Sequence, residues 1–254
     1  MSGETSQAAR WRPKRRWMRT VLSGLITGLF ALLTRLEIEG REHVPDRGPL
    51  LIVANHFHFA DPVALIRAMP RPLDFVGGFH LPNAPQWIRW IPRMWGLYRV
   101  RRSGSSRGAL REAENTLRQG GMLGIFPEGG SWTNVLRPAR PGTAFLATRT
   151  GARVVPVGLH GLDEIFPSLA RGRRATVTIR IGKPLGPFQA TQRGRKGREQ
   201  IDAIGDTIMR AIAGLIPAER HGVFSDDEEI RKAAEAVAAY PWERGDRSDT
   251  STTG

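Results

Sequence analysis

Along the chain, the spacing of hydrophobic positions switches several times between helical and extended. The first block, TVLSGLITGLFALLT (Thr20 to Thr34), has large apolar residues at Val21, Leu22, Leu25, Ile26, Leu29, Phe30, Leu32 and Leu33. Small residues, Ser23, Gly24, Thr27, Gly28 and Ala31, fill the gaps. This spacing predicts a helix with one bulky and one small face, and Gly24 with Gly28 would permit close approach of another helix. LEIEG alternates as a strand, and GPLLIVAN is apolar throughout, as a strand buried on both faces is. Asp61-Pro62 opens a helix over 62–69, with Asp61 the expected N-cap and Pro62 at the first helical position; Pro70 and Pro72 stop it.

The same alternation continues downstream. DFVGG reads as a short strand, PQWIRWIPRMWG as an aromatic-basic helix, LYRVRR as a strand, and 107–118 as a helix closed by Gly120-Gly121. MLGIF is a strand entering the turn PEGG; GTAFLATRTG is a helix, and RVVPVGL and ATVTIRIGKPL are strands. QRGRKGR (192–198) reads as a solvated loop before a helix marked by Ile201, Ile204, Ile208, Ile212 and Leu215. Ser225 and Glu228 have the spacing of a capping box before a last helix, and the tail from Glu243 reads as disordered. Strands alternating with helices predict an α/β fold: one central, mostly parallel or mixed sheet flanked by helices. The expected organisation is a basic N-terminal segment with an amphipathic helix (1–34), one domain (35–240) and a tail (241–254).

Composition sharpens this picture at one end. The chain of 254 residues is long enough for one sizeable core. It has no cysteine, which removes disulfides, cysteine–zinc sites and a cysteine nucleophile. Lys+Arg number 38 against 24 Asp+Glu, a net charge of +14 that suits nucleic acid, anionic lipid or an acidic substrate or carrier. No zinc-finger spacing, basic heptad region or RNA-binding string supports nucleic acid, so no nucleic-acid partner is expected. Arg10, Arg12, Lys14, Arg15, Arg16 and Arg19 precede the first helix. That helix is shorter than the ~20 residues of a membrane span, and Arg35 and Glu37 follow it where a signal-peptide cleavage site would stand. The expectation is a helix lying in the membrane interface beside its basic flank, on the cytoplasmic face; the competing expectation is an ordinary amphipathic helix packed on the core.

The candidate chemistry sits on NHFHFAD, Asn55 to Asp61, between the buried strand and the helix it feeds. α/β proteins place reactive groups on such loops. With four residues between them, Asp61 can fold back to one nitrogen of His56, leaving the other as a base for a hydroxyl. The alternatives at this level are a helix-capping aspartate beside a structural histidine, or a metal pair. For a metal only His58 offers itself nearby, so none is expected. GSSRG, Gly104 to Gly108, satisfies the nucleophile-elbow pattern around Ser106, but the basic RVRRS before it is a poor core strand.

NHFHFAD resembles the first motif of the glycerolipid (lysophospholipid) acyltransferases. GLYRVRR, FPEGGSW and ARVVPVGLHG resemble that family's second, third and fourth motifs, in the same order, and GKPL also recurs there. The resemblance covers roughly residues 35–190. It implies direct acyl transfer from an acyl-CoA or acyl carrier protein thioester to a hydroxyl of a lysophospholipid, most simply 1-acylglycerol-3-phosphate, at a membrane and without a cofactor. His56 would be the general base and Asp61 its partner. Glu128 would contact the acceptor or hold its turn, and the N–H groups of Gly129 and Gly130 would face the carbonyl oxygen. Read without the family, Glu128 is an exposed turn acid. The third motif normally continues Thr-Arg-Ser; here it continues Gly130-Ser131-Trp132. With serine in the arginine position, an acceptor phosphate would fall to Arg102, helped by Arg99, Arg101 or Arg140. The alternative within the family is a phosphate-free or sugar head group stacked on Trp132. Outside it stand a Ser106 hydrolase and a basic lipid-binding module.

Overall fold

A computed structural model of the chain describes residues 16–77, 98–99 and 107–238. The expected aromatic-basic helix, Arg101, Arg102, Ser106, the segment before Arg16 and the tail after Ala238 lie outside the described residues. In chain order the elements are α1 (Arg16–Leu33), β1 (Thr34–Glu39), β2 (Leu50–Ala54), α2 (Asp61–Ala68), β3 (Leu73–Gly77) and β4 (Tyr98–Arg99). They continue with α3 (Arg107–Arg118), β5 (Met122–Ile125), α4 (Pro141–Thr150), β6 (Arg153–His160), α5 (Ile165–Ala170), β7 (Ala175–Ile181), α6 (Gly194–Ala213) and α7 (Glu228–Ala238).

The seven strands form one sheet in the order β1-β7-β6-β2-β5-β3-β4. β6, β2, β5, β3 and β4 run parallel; β7 is antiparallel to β6, and β1 runs parallel to β7. β2 is central and buried along its whole length, because both its faces are covered. Leu50, Ile52 and Ala54 join a cluster with α1, α2 and β7 on one face, while Leu51 and Val53 join a cluster with α3, α4 and α6 on the other. That is why GPLLIVAN shows no alternation. α2, α3 and α4 return the chain to the starting edge before β3, β5 and β6, so the loops after β2 and β5 emerge on the same edge.

Several expectations change. Thr34 opens β1 directly from α1, with its hydroxyl donating to the Phe30 carbonyl at 2.7 Å. The bulky residues of α1 do occupy one half of the helix, but only one edge of that half meets the core: Leu22, Ile26 and Phe30 are buried, while Val21, Leu25, Leu29 and Leu32 are exposed. A methyl group added to Gly24 or Gly28 would meet nothing within 4 Å, so the GxxxG pair makes no helix contact among the described residues. The expected loop at 192–198 is in its larger part the start of α6, where Arg195 pairs with Glu199 one turn on at 2.9 Å. Its polar, solvent-facing residues carry no apolar period to read. Asp227, not Ser225, caps α7, its carboxylate accepting the Glu229 N–H at 2.8 Å, while the Ser225 hydroxyl accepts the Asp227 N–H. α5, six residues with a single buried side chain, is too short to announce itself.

Candidate active site

The exit of β2 is pinned before it reaches the loop. Asn55 is fully buried, and its side-chain amide makes two bonds to Leu159 of the neighbouring β6, donating to the carbonyl at 2.9 Å and accepting from the N–H at 2.8 Å. The next residue, His56, is therefore presented from a fixed backbone. Its main-chain N–H donates to Glu128 Oε1 at 2.9 Å, tying the β2 loop to the β5 loop. Its ring stacks on Phe126 with centroids 4.1 Å apart, and Phe126 in turn lies nearly parallel to Phe75 of β3.

His56 Nδ1 lies 2.9 Å from Asp61 Oδ2. Asp61 is not the cap of α2, as its place before Pro62 predicts; it is the first residue of the helix, with Ala60 in the cap position. The carboxylate turns back into the loop, where the same oxygen accepts the N–H groups of Phe57 and His58, each at 2.8 Å. It is 1% exposed. An acceptor-only group with three donors on one oxygen requires hydrogen on Nδ1, so in the neutral imidazole Nε2 of His56 carries the lone pair. His58 points elsewhere, against Phe59 and the exposed Phe166, and burial pushes its imidazole below the usual histidine range.

Glu128 is not an exposed turn acid. It is fully buried, and besides the His56 amide it faces Arg137, whose Nε lies 3.4 Å from Oε2. Burial pushes the Glu128 carboxyl up to about 8, against the opposing pull of the Arg137 guanidinium. Arg137 also donates to the Gly130 carbonyl and lies over the Trp132 ring, 3.4 Å from its centroid. Glu128 thus ties its turn to the β2 loop and to Arg137. Gly129 has φ of 77°, a left-handed conformation that favours glycine, and its N–H is used by the Phe126 carbonyl at 3.1 Å. The Gly129 N–H is thus already engaged within the turn, whereas the Gly130 N–H has no acceptor among the described residues. Gly130 is close-packed, since a Cβ there would meet the Trp132 ring at 2.4 Å. Ser131 is half-buried beside it.

Arg140 occupies the cap position of α4, and its N–H donates to the Pro127 carbonyl at 2.8 Å, closing the far side of the same turn. Arg99 sits on β4 paired with Gly77. The sequence does not reveal Arg137, Asn55 and Phe126 as parts of this arrangement. An arginine within LRPARPG has no pattern to distinguish it from surface charge; only the serine in the third motif hints that something else must neutralise this turn.

The family model described as Acyltransferase matches residues 35–160. A 1-acyl-sn-glycerol-3-phosphate acyltransferase of Chlamydomonas reinhardtii is 28% identical over 195 residues, covering 74% of this chain and 55% of that protein. The lyso-ornithine lipid O-acyltransferase of Pseudomonas aeruginosa is 30% identical over 178 residues, covering 62% of this chain and 67% of that protein. The chain spans about half the length of the first curated relatives it matches. In fold it is similar to the crystal structure of the 1-acyl-sn-glycerophosphate acyltransferase PlsC from Thermotoga maritima, with a TM-score of 0.54, 22% identity, and 76% and 79% of the two chains covered. With a histidine–aspartate pair behind the central strand, a buried glutamate turn facing it, and these matches, the chain belongs to the acyltransferase family.

Proposed function

We propose that the protein is an O-acyltransferase that moves a fatty acyl chain from a thioester to the free hydroxyl of 1-acylglycerol-3-phosphate. The observation that carries this reading is the His56–Asp61 pair, whose tautomer leaves Nε2 bare. Nε2 takes the proton of the acceptor hydroxyl as its oxygen attacks the thioester carbonyl, and Asp61 stabilises the imidazolium that forms. The tetrahedral intermediate collapses, the C–S bond breaks, and the thiolate leaves with the proton returned by His56. The Gly130 N–H supports the oxyanion. The donor is acyl-CoA or an acyl carrier protein thioester, either of which suits a chain of charge +14.

A second acceptor reading has its own support. Ser131 stands where the family has an arginine, and the Pseudomonas relative is named for a lyso-ornithine lipid, whose head is an amino acid rather than a phosphate. The deciding experiment is a thiol-release assay of the purified protein on 1-acylglycerol-3-phosphate, lyso-ornithine lipid and a phosphate-free glycolipid. The first is expected to be acylated fastest. Ser131→Arg should hold or improve its KM, since a restored charge-assisted contact is worth roughly 1.5–3 kcal/mol. Turnover of lyso-ornithine lipid or the glycolipid alone, with Ser131→Arg inhibitory, would replace the phosphate reading by the second one.

The protein works at the membrane interface, on the cytoplasmic face. α1 supports this by doing two jobs: its buried residues key it into the sheet, while Trp17, Val21, Leu25, Leu29 and Leu32 are left 52–72% exposed. No helix among the described residues is long and apolar enough to cross a membrane, so α1 is read as lying flat with this stripe at the headgroup–acyl boundary. Leu25→Glu with Leu29→Glu should abolish sedimentation with vesicles and leave thermal stability near wild type, because neither side chain is part of the core. Undiminished vesicle binding by the folded double variant would move the membrane contact elsewhere.

A further inference from the structure

A cavity of about 440 Å³ lies between α1 and the end of α2, lined by Arg19, Thr20, Ser23 and Thr27 on one side and by Arg67, Arg71 and the apolar residues of 66–73 on the other. It is remote from the chemistry. Asp61 begins α2, whereas Arg67 stands about 9 Å further along the helix and Arg71 lies beyond its end. Leu73 opens β3 at the edge where β5 starts, opposite the edge from which the Glu128 turn leaves. Acyl transfer uses none of these residues.

The lining is built for an anion. It contains three arginines and no carboxylate. Arg19 is compensated from behind by Asp74, at 2.5 Å in a buried pair. Arg71 is held in place by donating to the Gly120 and Gly48 carbonyls, and burial works against its charge, with Asp46 acting in support. Arg67 makes no ion pair among the described residues, and its Nε is shielded from solvent with no hydrogen-bond partner. A half-buried guanidinium with no ion pair gains from an anion placed beside it in the cavity. Thr20, Ser23 and Thr27 add a strip of hydroxyls about one helical turn apart. The volume falls in the range of small-molecule sites, roughly 300–1,000 Å³.

The position of the cavity selects the anion. At about 100° per residue, Ser23 and Thr27 fall on the flank of α1 opposite Leu25 and Leu29. A helix bedded by its apolar stripe at the headgroup–acyl boundary carries its opposite flank at the level of the phosphates. We infer that this cavity binds the phosphate headgroup of an anionic phospholipid, with Arg67 and Arg71 as its cationic contacts, as a lipid site separate from the acyl-transfer centre. The inference rests on the interfacial placement of α1, not on the acyl-transfer reaction, and its test needs no turnover.

The full chain is sedimented with vesicles of phosphatidylcholine alone and of phosphatidylcholine mixed with phosphatidylglycerol. It is also titrated calorimetrically with monomeric dihexanoyl phosphatidylglycerol and with inorganic phosphate. Wild type should prefer the anionic vesicles and bind the short-chain lipid more tightly than phosphate. Arg67→Gln should weaken the short-chain lipid by about tenfold, the loss of one charge-assisted contact, and reduce the anionic preference while leaving phosphatidylcholine binding unchanged. Arg67→Lys should recover part of it, and Ser23→Phe, which fills the cavity without changing charge, should lose it. Arg195→Gln, on the far helix α6 with its side chain 92% exposed, controls for net charge and should shift the preference by less than about twofold. Equal effects of Arg67→Gln and Arg195→Gln overturn the site. Binding of inorganic phosphate as tight as the lipid, lost in Arg67→Gln with vesicle preference unaltered, overturns the lipid as its ligand. Failure of wild type to bind either vesicle overturns both the interfacial placement and this inference.

Discussion

Replacing His56 by alanine is expected to lower acyl transfer by roughly 10²–10⁴-fold, the usual contribution of a positioned general base, with little change in thermal stability. The ring is already at the edge of the core, with a side chain 13% exposed, and the bond from the His56 main chain to Glu128 survives the substitution. Asp61 is expected to behave differently from a residue that merely orients the ring. Its Oδ2 also receives the Phe57 and His58 N–H groups, so in Asp61→Asn these two donors select the amide oxygen for that position. The tautomer of His56 is then kept, and what is lost is the negative charge that stabilises the imidazolium. Asp61→Asn should therefore lose less kcat than His56→Ala, while Asp61→Ala, which frees the loop, should lose as much and also lower Tm. The measurements are kcat, KM and thermal unfolding of the three proteins. Near-normal turnover by a folded His56→Ala protein would sink the mechanism, and equal losses in Asp61→Asn and Asp61→Ala would sink the account of the loop.

The parts of this arrangement that are legible in the sequence are those dictated locally. β2 announces itself because a strand covered on both faces has no polar positions to spare. The His56–Asp61 relation is readable because four intervening residues limit where the chain can go. Glu128 misleads for the opposite reason. Its neighbours Pro127, Gly129 and Gly130 signal a turn, and turns are usually exposed; its burial comes from Arg137, nine residues on, and from the His56 amide, brought to it by the β2–β5 register. Asn55 likewise acts through β6, more than a hundred residues away. For α1 the sequence poses a choice between lipid and core; one set of its bulky residues is in the core, and the other is exposed, as the proposed lipid contact requires. The pattern shows one bulky half but not which edge of it is covered, since Leu25-Ile26 and Leu29-Phe30 are adjacent in sequence yet about 100° apart around the helix.

The buried pair of Glu128 and Arg137 should respond asymmetrically to loss of either member. Arg137→Met leaves a carboxyl that burial has already pushed up to about 8 and that can take a proton; the cost is the contacts to Gly130 and Trp132, roughly 1–3 kcal/mol. Glu128→Ala leaves a guanidinium, 1% exposed, that cannot lose its charge. It also removes the acceptor of the His56 N–H, and above a pH of about 8, where the carboxylate is charged, should cost about 3–5 kcal/mol along with activity. Glu128→Gln keeps that acceptor and should fall between the two. The pH dependence has a defined sign. A carboxyl raised from 4.5 to about 8 in the native state holds a proton there that the unfolded chain has released, so the native state binds more protons between those values. Its contribution is thus favourable at low pH and is lost as pH rises through this window. His58, lowered by burial, acts in the other direction, its stabilising contribution being lost as pH falls. The informative quantity is therefore the difference between wild type and Glu128→Gln in urea unfolding free energy across the window between the two carboxyl values. Wild type should lose stability relative to Glu128→Gln as pH rises, and Arg137→Met, with the opposing guanidinium gone, should lose it more steeply. A difference that stays flat would mean that the glutamate is held as a carboxylate and that the turn is fastened by a fully charged pair, whereas a Glu128→Ala protein more stable than Arg137→Met would mean that the guanidinium does not depend on the glutamate.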